Sequence, residues 1–372
     1  MSFCGIFENK RVLVTGHTGF KGSWLCLWLA ELGAEVYGYS LEAPTKPSLF
    51  EEAKVVERLV GHEVGDIRNA ERLKNTLKKV RPSIVFHLAA QSLVRRSYAE
   101  PQETYETNVM GTVNLLEAIR ACDSVKVCQI ITSDKCYENW EWVYAYREND
   151  PMGGSDPYSN SKGCAELVVS SYRRSFFPPE RFEKHGVSLS SARAGNVIGG
   201  GDWSEDRIIP DSIRALTVGN PIEVRNPNAV RPWQHVLEPL SGYLWLAARQ
   251  WSEPRRFSDG WNFGPMPAGH ATVEEIVQEI VRQWGEGEYR PDSPSEAPHE
   301  AHLLKLDITK AADLLAWRPV YSLKEALSVT VDWYKAWAQG CARDELRVLT
   351  LNQIRAYTKA AREQSLSWAA EG

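Results

Sequence analysis

The run Arg11-Val-Leu-Val-Thr15 is short, apolar and β-branched, and it leads directly into Thr15-Gly16-His17-Thr18-Gly19-Phe20-Lys21-Gly22. A helical pattern follows from Gly22 to Leu32, with its apolar residues expected on one face. No other feature constrains the fold as strongly. A buried strand, a glycine turn and a helix in this order form the opening unit of a dinucleotide-binding sheet. Glycines let the backbone turn tightly and approach a pyrophosphate, which then sits at the positive end of the helix. The spacing is G-x-x-G-x-x-G, so the motif takes its meaning from its place between strand and helix.

The pattern repeats downstream. Glu35 to Tyr39, Ser83 to His87 and Lys126 to Thr132 read as further strands separated by helical segments. Alternation of this kind predicts an α/β fold, a doubly wound parallel Rossmann-type sheet. At 372 residues the chain exceeds the roughly 250–300 at which one core stops growing, so a second packed region is expected. Beyond about Ala192 loops rich in Gly, Pro, Asn and Trp predict a smaller, interleaved C-terminal substrate-binding lobe. Short ordered patterns at Trp233 to Val236, Leu240 to Arg249 and Trp261 to Phe263 suggest that the chain re-enters the first domain. The expected division is a dinucleotide-binding domain over 1–192 with returns near 229–265, a lobe over 193–228 and 266–340, and a tail over 341–372. The tail is helical in pattern and too charged to be expected in the core, so it carries no functional assignment.

A net charge of -5 offers no global field for nucleic acid or acidic lipid, so any bound anion must be held by a local cluster. Seven scattered cysteines without metal-type spacing fit reduced thiols in a cytoplasm, and no metal site is expected. The longest apolar runs are shorter than the ~20 residues that span a bilayer, and the N-terminus lacks a signal-peptide pattern, so no membrane association is expected.

Candidate cofactor contacts are Gly16, His17, Gly19, Phe20 and Gly22 in the turn, with Asp66, Ile67, Leu88, Ala89 and Ala90 where later loops of such a sheet meet adenine and phosphates. The second strand ends in Gly38-Tyr39-Ser40, neither the acid that favours NAD nor an arginine that favours NADP, and the reading leans to NAD. A bulky His17 near the pyrophosphate and the missing acid at Ser40 predict a loosely held cofactor.

Tyr158 and Lys162 stand four residues apart, on one face of a helix. A neighbouring ammonium is expected to lower the phenol's pKa and suit it to removing a hydroxyl proton. With the glycine turn and the Thr132-Ser133 strand end, this pair resembles the extended short-chain dehydrogenase/reductase superfamily. That resemblance implies that Ser133 bonds a sugar hydroxyl, Tyr158 is the base and Lys162 holds the nicotinamide ribose.

Thr132-Ser133-Asp134-Lys135-Cys136-Tyr137 narrows the resemblance to the CDP-glucose 4,6-dehydratases, where an Asp-Lys pair replaces the Asp-Glu of other nucleotide-sugar dehydratases. Asp134 would then be the acid for water loss and Lys135 a participant in C5 deprotonation, as a neutral base or as a charge facing the enolate. Gln91, Arg193, Asn196, Asp202 and Trp203 resemble stretches that grip the nucleotide diphosphate of CDP-glucose. So do Arg207, Arg225, Arg231 and His235, and guanidinium groups bind phosphate bidentately. The resemblance also implies a homodimer or homotetramer. A 4-epimerase, with no need of Asp134, and a nicotinamide-sensing binding protein, with no need of Tyr158, are the alternatives.

Overall fold

The computed structural model describes residues 2–266, 270–291 and 303–370. Parts of the expected lobe, 267–269 and 292–302, lie outside the described residues. The glycine turn connects β1 (Arg11–Thr15) to α1 (Phe20–Glu31), and β2 (Glu35–Ser40), β3 (Gly61–Val64) and β4 (Ile84–His87) follow. Next come β5 (Val127–Ile131), the long helix α2 (Pro157–Ser175) and β6 (Ser188–Ala194). The chain then makes β7 (Val197–Ile198), α3 (Ile208–Thr217), β8 (Ile222–Val224), β9 (Val230–Pro232) and β10 (Gln234–His235). Helix α4 (Leu237–Ser252) leads to β11 (Gly260–Phe263), and α5 (Leu323–Ala338) and α6 (Arg343–Glu363) close the chain.

Seven strands form one parallel sheet in the order β11-β6-β5-β4-β1-β2-β3. Residues of β4, β5 and β6 are buried throughout, as expected where helices cover both faces. The order reverses between β1 and β4, which opens a crevice at the strand ends beside the glycine turn. The expected return to the sheet is β11, whose Gly260 pairs with Ser191 of β6.

Two expectations are corrected. Helix α1 has no single apolar face, because Gly22 to Leu29 are all buried and other helices cover the side turned from the sheet. The tail is part of the core. Helix α6 keeps its charges on one side and buries Leu346, Leu351, Ile354 and Tyr357 on the other, a stripe that the net charge of the segment conceals. Trp368 beyond it is fully buried, stacking on Phe3 at 5.0 Å and lying 6.1 Å from the Trp28 ring of α1. The Tyr357 hydroxyl donates to Glu238 of α4 at 2.6 Å, and the backbone N–H groups of Val320 and Tyr321 donate to the same carboxylate. Among the described residues no helix is long and apolar enough to cross a membrane.

Candidate active site

The crevice is a cleft of about 650 Å³ between the strand ends and the segments that carry α3 and β8. Its first wall is the glycine turn. Gly16 has φ +75°, and a Cβ there would meet the backbone nitrogen of Ala89 at 2.6 Å. A Cβ on Gly22 would lie 2.1 Å from the Gly16 carbonyl oxygen, so helix and turn close up only with glycine at both places. No side chain caps α1 at Gly19, which leaves the helix end to an anion. This cradle, which side chains would fill, fits a dinucleotide diphosphate. Phe20, Ile67, Leu88, Ala89 and Ala90 line the same cleft, as does Asp66, whose carboxyl is held below its usual range by a hydrogen-bonded Arg68.

The second wall comes from α2 and the end of β5. Asp156 caps α2 by accepting from the Ser159 N–H at 2.9 Å, and Pro157 starts the helix. Tyr158, Lys162 and Glu166 follow at intervals of one turn. Glu166 anchors this face to the sheet: it accepts from Thr132 at 2.5 Å, from Ser191 at 2.7 Å and from Arg193 at 2.7 Å. Burial pushes the Tyr158 phenol up to about 12, and the Ser133 hydroxyl beside it acts the other way. The expected lowering by Lys162 is therefore corrected. Burial brings Lys162 itself down to about 8.

Past β5 the chain makes a tight turn over Asp134–Cys136, capped by Ser133, whose hydroxyl accepts from the Lys135 N–H at 3.2 Å and donates to Asp134 Oδ1 at 3.0 Å. Burial raises the Asp134 carboxyl, with Lys135 and Arg231 acting against it. Asp134 Oδ2 is buried and has no hydrogen-bond partner among the described residues. A carboxyl whose proton burial favours is suited to donating it. Ser133, Asp134, Lys135, Tyr158 and Lys162 all line the cleft.

Gln91, Asn196, Asp202, Arg207, Arg225 and Arg231 also line the cleft. Arg207 pairs with Asp202 at 2.8 Å, and Arg225 with Asp206 at 2.6 Å. Four residues read from sequence as contacts lie elsewhere. His17 is buried under β2, where its Nε2 is 2.7 Å from His62 Nδ1 and its ring fills the space a side chain on Gly38 would need. It cannot crowd the pyrophosphate, so the reason it offered for loose cofactor binding is withdrawn. Arg193 lies behind the cleft, bonded to Glu166, Tyr137 and the Glu148 carbonyl. Trp203 packs on Tyr334 and Trp337, and His235 between Trp24 and Tyr321. In each case an apolar or ion-pair neighbour remote in sequence claims the side chain.

Among the cleft residues that escaped the sequence reading are Lys21, Glu42, Arg95 and Asp206. Lys21 stands inside the glycine turn itself, with its ammonium 3.4 Å from the Tyr243 hydroxyl, and burial followed by Arg207 and Lys162 lowers it to about 7. Glu42 follows Gly22 by 20 residues, the spacing at which an acid meets a ribose, but it lies past the strand end where the acid was sought.

A doubly wound parallel sheet whose glycine turn faces a Tyr–Lys helix across one cleft defines an enzyme of dinucleotide-dependent chemistry. Residues 13–330 match the GDP-mannose 4,6 dehydratase family, and the chain belongs to that family. It is 54% identical to a CDP-glucose 4,6-dehydratase of Salmonella typhimurium, over 95% of this chain and 98% of that one. A solved dTDP-glucose 4,6-dehydratase from Streptomyces venezuelae with NAD bound superposes with TM-score 0.74 at 25% identity, covering 87% of this chain and 97% of that one. A Thermus thermophilus UDP-glucose 4-epimerase complex with NAD gives TM-score 0.73 at 25% identity, covering 87% and 99%.

Proposed function

We propose that this chain is an NAD-dependent CDP-glucose 4,6-dehydratase, converting CDP-glucose to CDP-4-keto-6-deoxyglucose and water. The observation that carries the reading is Asp134: a buried carboxyl oxygen with no hydrogen-bond partner among the described residues, on the same cleft as Tyr158 and Lys162. A 4-epimerase has no leaving group to protonate, and the 54% identical relative is a dehydratase that acts on CDP-glucose.

NAD, which the glycine turn together with Asp66, Ile67, Leu88, Ala89 and Ala90 would hold, would supply a reversible hydride acceptor and donor. Tyr158 is the base for the proton of the 4-hydroxyl, which Ser133 orients by hydrogen bonding; the positive charge of a bound nicotinamide would oppose the upward push of burial on the phenol and favour the phenolate that accepts it. Lys162 holds the ribose next to the reacting ring. Once C4 is a ketone, the C5 proton is acidic, and Lys135 assists its departure as base or as charge beside the enolate. Asp134 protonates O6, the C6–O bond breaks and water leaves. A proton returns to C5 as C6 is reduced, so the sugar loses one water and no net electrons. Arg207, Arg225 and Arg231 hold the diphosphate.

The test is incubation with NAD and the CDP-, UDP-, dTDP- and GDP-glucoses. A product absorbing in alkali, as 4-keto sugars do, is expected from CDP-glucose. Tyr158→Phe should lower turnover about 10²–10⁴-fold while CDP still binds. No keto product from CDP-glucose overturns the reading, and a Tyr158→Phe enzyme within about threefold of wild type removes Tyr158 from the base role.

A further inference from the structure

A single carboxylate oxygen at the cleft mouth is shared by two arginines from opposite sides. Asp206 Oδ1 lies 2.6 Å from Arg225 Nη1, which follows β8, and 3.4 Å from Arg95 Nη1, on the helix Val94–Ala99 that follows β4. Arg225 Nη2 also stands 3.9 Å from Asp211. All three residues line the cleft, and each side chain is between 36% and 39% exposed. Asp206 immediately precedes Arg207, whose charge acts on the Tyr158 phenol.

Two guanidinium groups converging on one anionic oxygen form a site for any oxyanion of that charge, and phosphate oxygens match it best. Resting on the dehydratase reading, we infer that Arg95 is a diphosphate-binding residue contributed from the dinucleotide-binding side, and that Asp206 is an internal anion which the substrate displaces. The diphosphate then ties both sides of the cleft together. Exchange is feasible because half-exposed ion pairs are weak, so the carboxylate is displaced at little cost. Asp206 opposes binding twice: it occupies the arginines beforehand, and its charge repels the arriving phosphates.

Calorimetric titration of the full-length protein with CDP, cytidine and NAD tests this. Arg95→Ala should weaken CDP binding about tenfold, the lower end for a charged hydrogen bond because the site is part-exposed. Arg95→Lys, which retains charge without the planar fork, should fall between. Asp206→Asn should tighten CDP several-fold. Cytidine and NAD affinities should stay at wild-type values in all three, and the CDP differences should shrink with added salt. CDP affinity within twofold of wild type for both Arg95→Ala and Asp206→Asn overturns the inference. Equal weakening of cytidine or NAD overturns it too, since that marks a distorted cleft. Titrating wild type with CDP, UDP, dTDP and GDP separates this result from the substrate reading. Preference for another diphosphate sinks the cytidine assignment alone, and the Arg95 comparison then uses that nucleotide. Binding of none sinks both.

Discussion

Behind the floor of the cleft, Glu166 and Arg193 pair with side chains 3% and 5% exposed, whereas at its mouth Asp206 meets Arg95 and Arg225 with every partner more than a third exposed. The residue types are the same and the duties differ. A buried pair must have nearly every lone pair and proton matched, and Glu166 achieves this with Thr132, Ser191 and Arg193. Such a pair cannot be given up to a ligand, but it fixes the helix that carries Tyr158 and Lys162 against the strand end that carries Ser133. The mouth pair is screened by water and can change partners. Burial thus separates an arginine that fixes helix α2 to the sheet from arginines that line the open cleft.

The comparison breaks first at Glu166. Glu166→Ala leaves Arg193 charged and buried without its carboxylate, and should cost about 3–5 kcal/mol in denaturant unfolding. A loss under about 1 kcal/mol would mean that floor and mouth pairs are energetically alike.

A buried carboxyl held by neutral donors, Glu238, sharpens the contrast. Burial raises Glu238 to about 7 from an ordinary 4.5, against the donors from Tyr357, Tyr321 and Val320. A carboxyl raised on folding binds its proton more tightly in the native state. Its contribution is full below about 4.5 and is lost as pH rises through about 7. The falling component is about 3 kcal/mol, and Glu238→Gln should remove it from the stability profile between about pH 4.5 and 7. Parallel profiles for wild type and variant would show that Glu238 ionises normally in the fold.

The smallest effect belongs to the mouth. Arg95→Ala should alter unfolding free energy by less than about 1 kcal/mol, as exposed ion pairs do. A loss near that of Glu166→Ala would make Arg95 part of the scaffold and remove the contrast.

Much of the site was legible because its residues lie close in sequence. Gly16, Gly19 and Gly22 act through one turn of backbone, Tyr158 and Lys162 through one turn of helix, and Ser133, Asp134 and Lys135 through one tight turn. Spacing alone encodes these relations. Arg193 and Arg225 looked equivalent in the sequence, since both stand in loop-rich stretches with similar neighbours. Only the approach of Glu166, 27 residues away, takes Arg193 out of the cleft. His17 illustrates the same limit within the motif itself: its backbone shapes the turn, while His62 and Phe50 draw its ring to the far side.

The sequence by itself determined the parallel sheet, the glycine cradle and the composition of the cleft wall that carries Tyr158 and Lys162, because hydrophobic period, glycine placement and helical spacing are local properties of the chain. The tertiary structure decided which charged groups are buried, which arginines reach the cleft and that the charged tail completes the core. Those outcomes depend on distant segments meeting, Phe3 with Trp368 and Asp206 with Arg95, and on the loss of water that follows.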